Sequence, residues 1–311
     1  MTDPEKVVHP LPTDRARELV TGAYDTHVHV APDVIRRRID DVTLARRFRE
    51  VGLAGFVLKS HYVPTGERAE VVRNTVPGVD VLGALTLNAA VGGLNPVAVE
   101  LAGRSGARVV WMPTVDCRNQ RETQAEAPGG VAPPMWAQLQ AELAEEGVTA
   151  PAIDVVNTGG DVLPAVRQVL RVVAKYDMVL ATGHLSGPEI VATVRAAHEA
   201  GVRRIVVTHP EFTSQRVPVR AQRQLTRYGA LMERCFTTPY SGKISWDLMF
   251  QHIRQVGPEH SILSSDLGQP FNPPVEDGLA LMADRLLENG FSEDEVRVMA
   301  VDNTRAVGGP A

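Results

Sequence analysis

Two histidines separated by a single residue are the first candidates for chemistry in this chain. His27 and His29 lie in the apolar segment of residues 23–30, and on a β-strand their side chains would project from the same face. Two imidazoles on one face can bind one metal ion between them. Three more residues with metal-ligating side chains follow later apolar runs, namely His184, His209 and Asp266. Imidazole and carboxylate ligands together suit zinc, and also manganese, iron or cobalt.

The segments that must position these residues alternate between apolar runs and amphipathic stretches. The apolar runs predict eight β-strands, at residues 23–30, 55–59, 79–87, 107–113, 178–182, 204–208, 231–236 and 261–265. Apolar residues that recur at helical spacing predict helices between and after the strands, at residues 41–51, 67–74, 96–103, 161–175, 189–200, 219–228 and 246–256, with further helices to the end of the chain and a short one after Thr13.

Eight strand–helix units in order predict an α/β protein that folds as a closed (β/α)8 TIM barrel. The length of 311 residues fits one barrel, so we predict a single domain over residues 1–311, since such barrels take about 250 residues plus insertions. An open, doubly wound sheet is the alternative. It would usually carry a phosphate-binding GxGxxG after its first strand, and the sequence after residue 30 has none.

The barrel prediction brings the candidate ligands to one place. His27 and His29 end the first predicted strand, His184 and His209 follow the fifth and sixth, and Asp266 follows the eighth. Active sites of these barrels lie at the carboxyl ends of the strands. Because the eighth strand neighbours the first in a closed barrel, we expect Asp266 beside the two histidines. The pattern therefore predicts a metal centre at the barrel mouth.

The regular alternation breaks at residues 116–152. This segment contains Gly129-Gly130 and Pro133-Pro134 and only one helical stretch, at residues 135–146. We interpret it as an inserted loop that could serve as a lid over the active site, because long irregular segments in compact domains are commonly functional.

The ordered set of residues resembles the amidohydrolase superfamily of metal-dependent hydrolases. The resemblance is carried by Asp25-Thr26-His27-Val28-His29, by His184, His209 and Asp266, and by a closing helix at residues 302–308. It implies that His27 and His29 hold one divalent metal, most simply zinc. It also implies that His184 and His209 hold a second metal or a substrate oxygen, with His209 and Asp266 serving catalysis. Asp266 would take a proton from the attacking water and pass it to the leaving group.

One departure from the superfamily pattern leaves the number of metals open. Many two-metal members bridge their ions with a carboxylated lysine at the end of strand four, but here that strand ends in Trp111-Met112-Pro113-Thr114. The only lysine at a predicted strand end is Lys59, on strand two. A carboxylated Lys59 could join the metal ligands, or a free Lys59 could bind a substrate carboxylate.

Several further residues near the strand ends have two possible interpretations, one functional and one structural. His61, Tyr62 and Trp111 could bind substrate, and Tyr240 and Trp246 could add to an aromatic wall, or they could pack in the core. Arg36-Arg37-Arg38 could grip an anion, although a solvated charge run offset by Asp40 and Asp41 is the favoured reading. Glu211 could support a histidine ligand or begin a helix. We interpret the remaining histidines as surface residues: His9, His198, His252 and His260.

Composition excludes some classes of function. The 32 basic residues against 37 acidic ones give a formal charge of -5, whereas a nucleic-acid binder needs a basic surface. Cys117 and Cys235 do not form a disulfide framework, and we expect reduced thiols in a cytoplasmic protein. No apolar run reaches the ~18 residues of a membrane span, and the first 20 residues lack the apolar core of a signal peptide. The partner is expected to be a small substrate, and assembly into a homo-oligomer is left open.

The leading hypothesis is hydrolysis of a C–N bond in a small amide, lactam or cyclic imide. Hydrolysis of a lactone or phosphoester, or decarboxylation of a small acid, is the alternative, because the same metal and Asp266 serve all of these and the loops select among them. A binding protein that has lost its chemistry and a metal-free hydrolase are the remaining hypotheses.

Overall fold

Eight parallel strands form one sheet in sequence order, and helices follow the strands along the chain. The computed structural model describes residues 8–125 and 133–309. The strands are β1 Tyr24–Val28, β2 Gly55–Leu58, β3 Asp80–Thr86, β4 Ala107–Trp111, β5 Val179–Ala181, β6 Arg204–Val207, β7 Ala230–Cys235 and β8 Ser261–Ser264.

The described helices are α1 Asp14–Leu19, α2 Asp41–Glu50, α3 Gly66–Thr75, α4 Pro96–Arg104, α5 Arg118–Ala125, α6 Met135–Glu145, α7 Pro164–Lys175, α8 Gly187–Glu199, α9 Val219–Thr226, α10 Thr237–Tyr240, α11 Trp246–Val256, α12 Gly278–Glu288, α13 Glu293–Arg297 and α14 Asn303–Gly308. Short 3-10 turns occupy Ala89–Val91, Pro258–His260 and Val275–Asp277, and a π-helical turn spans Val298–Asp302. None of the helices within the described ranges is long and apolar enough to cross a bilayer.

The last strand closes onto the first, which confirms the predicted TIM barrel. Val28 and Leu267 form an isolated parallel bridge, and the backbone amide of Asp266 donates to the carbonyl of His27 over 2.9 Å. The buried carboxylate of Asp25 adds a side-chain link, since its Oδ1 accepts from the backbone amide of Ser265 at 3.0 Å. The contacts that close the barrel therefore involve His27 and Asp266 themselves, and residues next to them.

The core has an inner part within the barrel and outer parts under the helices. Inward side chains of alternate strand positions fill the barrel, among them Val57, Val109, Trp111, Val179 and Ile262. Helices cover the outside of the barrel with apolar stripes. On α7 that stripe consists of Val166, Val169, Leu170 and Val173, the i, i+3, i+4, i+7 spacing of one helix face. Each fully buried side chain of this size contributes about 1.5–3 kcal/mol.

The inserted segment contains one helix more than the sequence predicted. α5 precedes the predicted α6, and its first residue, Arg118, pairs with Asp154 at 2.5 Å. Arg121 pairs with Asp116 at 2.6 Å, which ties α5 to the loop after β4. The middle of the predicted lid, residues 126–132, lies outside the described residues. The interpretation of residues 116–152 as a lid stays a prediction.

The end of the chain packs against its beginning. The predicted closing helix of residues 302–308 corresponds to the end of the π-helical turn and α14. Thr304 Oγ1 of α14 accepts a hydrogen bond from the backbone amide of Tyr24 at 3.1 Å, and Gly308 lies against the Tyr24 ring with no room for a side chain. α14 thus supports the start of β1, the strand that carries the two histidines.

Candidate metal centre

Three of the predicted ligands meet at one carboxylate oxygen. His27 Nε2 and His29 Nε2 each lie 3.2 Å from Asp266 Oδ1. Both imidazoles are buried, and one donor atom from each of the three residues lies within 4.8 Å of the others. The geometry places two imidazole nitrogens and one carboxylate around a common point, which is a donor set that divalent transition metals accept.

His184 and His209, which follow β5 and β6, add two more imidazoles to the arrangement. Their ring centroids lie 5.1 Å apart, and that of His209 lies 6.1 Å from the His27 ring. The Nδ1 atoms of both are buried and have no hydrogen-bond partner among the described residues. A buried nitrogen without a partner is costly, so these two atoms fit a site that is completed by a metal or a bound oxygen. We call His27, His29, His184, His209 and Asp266 the metal-centre cluster.

The burial of the histidines suits them to bind a metal. Burial lowers the pKa of His209 to about 4 and holds the pKa values of His29 and His184 well below the usual value for histidine. These imidazoles are therefore neutral at pH 7, and a neutral imidazole is the form that ligates metals. Burial alone would raise the pKa of Asp266, but the His27 charge and the His29 hydrogen bond hold it well below the usual value.

Backbone strain marks two members of the cluster. His209 and Asp266 adopt φ angles of 24° and 53°, although neither is glycine. Residues other than glycine rarely adopt such angles, and the strain costs of order 1–3 kcal/mol at each position. Each follows the end of its strand, β6 or β8, where the turn directs the side chain into the mouth.

Lys59 lies inside the cluster rather than beside it. Its Nζ is 2.7 Å from His27 Nε2 and 5.1 Å from the centroid of the Trp111 ring. Burial lowers the pKa of Lys59, against the opposing charges of Asp266 and Glu233. Lys59 therefore lies next to a candidate metal ligand, and its role as a ligand and its carboxylation stay predictions.

Sequence reasoning missed Glu233, which lies under the metal-centre cluster. Its Oε1 is 3.2 Å from His27 Nδ1 and accepts from Ser264 Oγ at 3.0 Å. A carboxylate can only accept, so it favours the proton on His27 Nδ1 and an unprotonated Nε2 that faces Lys59 and Asp266, the usual tautomer for a metal-binding histidine. The sequence contained one indication of this role, an acidic residue within the strand Ala230–Cys235. Glutamate is rarely buried in a strand unless its charge is paired.

A cavity of about 160 Å³ opens above the cluster. This volume is well below the ~300–1,000 Å³ of pockets that hold drug-sized ligands. Its wall includes every member of the cluster except His27, together with Ile35, Met135, Trp136, Phe212 and Phe271. Met135 and Trp136 belong to α6, so the inserted segment reaches the site. The cavity fits a small molecule.

The three predicted substrate-binding residues lie in different places. His61 lines the cavity, its ring stacked at 5.0 Å on His29 and its Nδ1 2.9 Å from Thr114 Oγ1. Trp111 instead points into the barrel interior, where its ring centroid lies 5.6 Å from that of His27. Tyr62 lines a neighbouring cavity of about 490 Å³ under α6. Trp111 therefore lies below the 160 Å³ cavity, in the barrel interior, and Tyr62 lies beside it.

The favoured reading of the arginine run was wrong for Arg37. Its side chain is only 5% exposed, and its Nε pairs with Asp33 at 2.7 Å. Its Nη2 lies 3.4 Å from His29 Nδ1, and the residue lines the cavity. Arg36 is exposed, as a solvated charge would be.

Glu211 has neither of the two roles proposed from the sequence. It forms a buried ion pair with Arg234, and its Oε1 lies 3.1 Å from His252 Nδ1. His252, expected on the surface, is therefore half-buried in this group. Gln222 completes the set, its Nε2 3.3 Å from His252 Nδ1. We call Glu211, Gln222, Arg234 and His252 the β7 ion-pair cluster.

A comparison with protein families matches residues 22–233 to a family of unknown function, DUF6282. This chain belongs to the DUF6282 family. The matched region runs from β1 into β7 and includes His27, His29, His184, His209 and Glu233, while Asp266 lies beyond it. No curated protein matches this DUF6282 chain in sequence.

Solved structures with the same fold are similar over most of their length. An amidohydrolase from Pseudomonas aeruginosa superposes with a TM-score of 0.57 at 10% identity, over 95% of this chain and 99% of that one. A TatD homologue from Escherichia coli gives 0.55 at 14% identity, over 94% and 100%. A mutant organophosphorus hydrolase from Deinococcus radiodurans gives 0.52 at 15%, over 98% and 99%. The fold expected from the resemblance to amidohydrolases is therefore confirmed.

Proposed function

We propose that the protein is a metal-dependent hydrolase that cleaves a C–N bond in a small amide, lactam or cyclic imide. One observation carries the proposal. His27 and His29 converge on a single oxygen of Asp266 at 3.2 Å each, at the floor of a small cavity at the barrel mouth. Fold neighbours that include an amidohydrolase and an organophosphorus hydrolase support the hydrolytic class.

The residues that would hold the metal follow from their donor atoms. His27 Nε2, His29 Nε2 and Asp266 would bind one ion, and the unpartnered His184 and His209 would bind a second ion or a substrate oxygen. We propose zinc as the metal because imidazole and carboxylate are its common ligands, with manganese or iron as alternatives. When bound, the metal would act as a Lewis acid and lower the pKa of the attacking water toward neutrality.

The remaining chemistry belongs to side chains of the protein. Asp266 is ionised at neutral pH because the His27 charge and the His29 hydrogen bond outweigh burial and hold its pKa well below the usual value, so it can accept the proton of the attacking water. Thr237 Oγ1 donates to Asp266 Oδ2 at 3.0 Å and holds the carboxylate in one orientation. Asp266 then returns the proton to the leaving nitrogen, as a base that becomes an acid.

Other side chains prepare the site for this proton transfer. Glu233 fixes the tautomer of His27 through its hydrogen bond to Nδ1. Phe212 packs 4.8 Å from the His209 ring, and Met135 and Trp136 add an apolar wall. An apolar wall limits competing water and strengthens the electrostatic interactions inside the site.

The test is a substrate screen with matched amides, lactams, cyclic imides, lactones and phosphoesters. We expect hydrolysis of a C–N substrate that stops after exhaustive chelation and returns on adding zinc or manganese. The His27→Ala variant should bind less metal than the wild type. Turnover restricted to lactones or phosphoesters would replace the proposed bond specificity, and activity that survives chelation would contradict the proposed mechanism.

A further inference from the structure

Cationic side chains outnumber carboxylates on the wall of the cavity. Arg37, Lys59 and Lys243 line it, and Asp266 is the one carboxylate among its lining residues. A cavity with this excess attracts anions, because charges in a partly enclosed site are weakly screened.

Two of the three cations already have a polar partner. Arg37 is paired with Asp33 at 2.7 Å. Lys59 Nζ lies 2.7 Å from His27 Nε2, within hydrogen-bond distance. The third, Lys243, makes no ion pair or side-chain hydrogen bond within residues 8–125 and 133–309. The cation left over for a ligand is therefore Lys243.

Lys243 is nevertheless held in a defined place. Its Nζ lies 4.2 Å from the centroid of the Phe212 ring, a cation–π contact. Phe212 itself packs 4.8 Å from the His209 ring. The backbone amide of Lys243 donates to the carbonyl of Thr238 in α10 at 3.2 Å. The ammonium is thus positioned at the mouth, on the side of the cavity where His209 lies.

We propose that the substrate is a small organic acid whose carboxylate is bound by the Lys243 ammonium while its scissile bond lies at Asp266. This inference rests on the proposed hydrolase function and names its substrate class. One cation without a polar partner matches one negative charge, which favours a carboxylate over a doubly charged phosphate.

The binding experiment uses benzoate as the probe and benzamide as its neutral counterpart, measured by calorimetry on the metal-loaded protein. We expect benzoate to bind more tightly than benzamide. The Lys243→Gln variant should raise the Kd for benzoate about 10- to 100-fold, the effect of losing a hydrogen bond to a charged group. Lys243→Arg should restore most of the affinity, because it keeps the charge.

The matched control is Lys175→Gln, which removes the same charge from a lysine that is paired with Glu100 on the surface and should leave the Kd unchanged. Equal binding of benzoate and benzamide, or an unchanged Kd in Lys243→Gln, would overturn the inference. Phenylphosphonate that binds more tightly than benzoate would overturn the choice of carboxylate.

The outcomes separate this inference from the proposed function. A protein that binds benzoate through Lys243 but neither binds metal nor hydrolyses any amide keeps the acid site and loses the hydrolase proposal. A metal-dependent hydrolase whose Lys243→Gln variant binds benzoate normally, and shows the wild-type KM for acidic substrates, loses only the acid site.

Discussion

The molecule contains two buried groups of charged and polar side chains that differ in character. The metal-centre cluster lines a cavity and contains two imidazole nitrogens that have no partner among the described residues. The β7 ion-pair cluster is built around a direct ion pair between Glu211 and Arg234, whose side chains are 1% and 0% exposed. Both clusters bury charge, and the metal-centre cluster differs in its access to a cavity.

Neighbouring residues of β7 point toward different clusters. Glu233 points into the barrel toward His27, while the next residue, Arg234, points outward to Glu211. Successive side chains of a strand face opposite sides, so one strand supplies both. His209 and Glu211 are also separated, but they are two residues apart, and their separation arises at the turn after β6 where His209 adopts a φ of 24°.

The largest expected effect is on turnover, in the metal-centre cluster. Asp266→Asn keeps the size of the side chain and removes its basicity, so we expect kcat to fall about 10²–10⁴-fold, the usual contribution of a general base. Steady-state kinetics on the substrate found by screening measures this. Because the amide oxygen of Asn can still bind the metal, the metal content and the urea unfolding midpoint should stay near those of the wild type, and a native kcat would rule out Asp266 as the base.

The next effect is on stability, in the β7 ion-pair cluster. Glu211→Gln leaves the Arg234 guanidinium buried without its counter-charge, which should lower the free energy of unfolding by about 3–5 kcal/mol. Urea denaturation followed by circular dichroism measures the loss. Metal content per folded chain should be unchanged. Loss of metal with unaltered stability would instead assign Glu211 to the metal centre.

A smaller effect is expected where the two clusters adjoin. Glu233→Gln weakens the partner of His27 Nδ1 and should reduce metal affinity about 10- to 100-fold, as loss of such a supporting carboxylate typically does. A competition titration with a zinc chelator gives the affinity. Gln222→Ala, in the other cluster, is the control and should leave zinc affinity unchanged. Equal zinc affinity in Glu233→Gln and wild type would limit Glu233 to a structural role.

The smallest expected effect is on stability, in a double variant of the β7 ion-pair cluster. In a double variant, Glu211→Leu with Arg234→Met, both charges are replaced by apolar groups of similar size, so we expect stability closer to the wild type than that of Glu211→Gln. Unfolding midpoints of the three proteins decide this. A double variant less stable than Glu211→Gln would show that the pair contributes more than the mutual neutralisation of two buried charges.

Much of the fold and the central ligands could be predicted from the sequence. The eight strands appear at the predicted places, within a few residues at each end. The strand-end rule predicted the meeting of His27, His29 and Asp266, because parallel strands of a closed barrel end at one mouth. This rule needs only the order of the elements.

Contacts that depend on side-chain direction could not be predicted in the same way. Glu233 lies within a strand rather than at its end, and no local spacing connects it to His27. Arg37 is adjacent in sequence to the exposed Arg36, and its burial depends on Asp33 and on the shape of the loop after β1. The pairing of Glu211 with Arg234 likewise depends on the alternation of side chains between the two faces of β7.

Metal content per chain tests the central claim most directly. It is measured by plasma mass spectrometry on protein purified without chelator, beside His27→Ala from the metal-centre cluster and His252→Ala from the β7 ion-pair cluster. We predict about one or two equivalents of a divalent transition metal in the wild type and in His252→Ala, and a clear loss in His27→Ala. A wild type that contains no metal and takes up none on adding zinc or manganese would contradict the account.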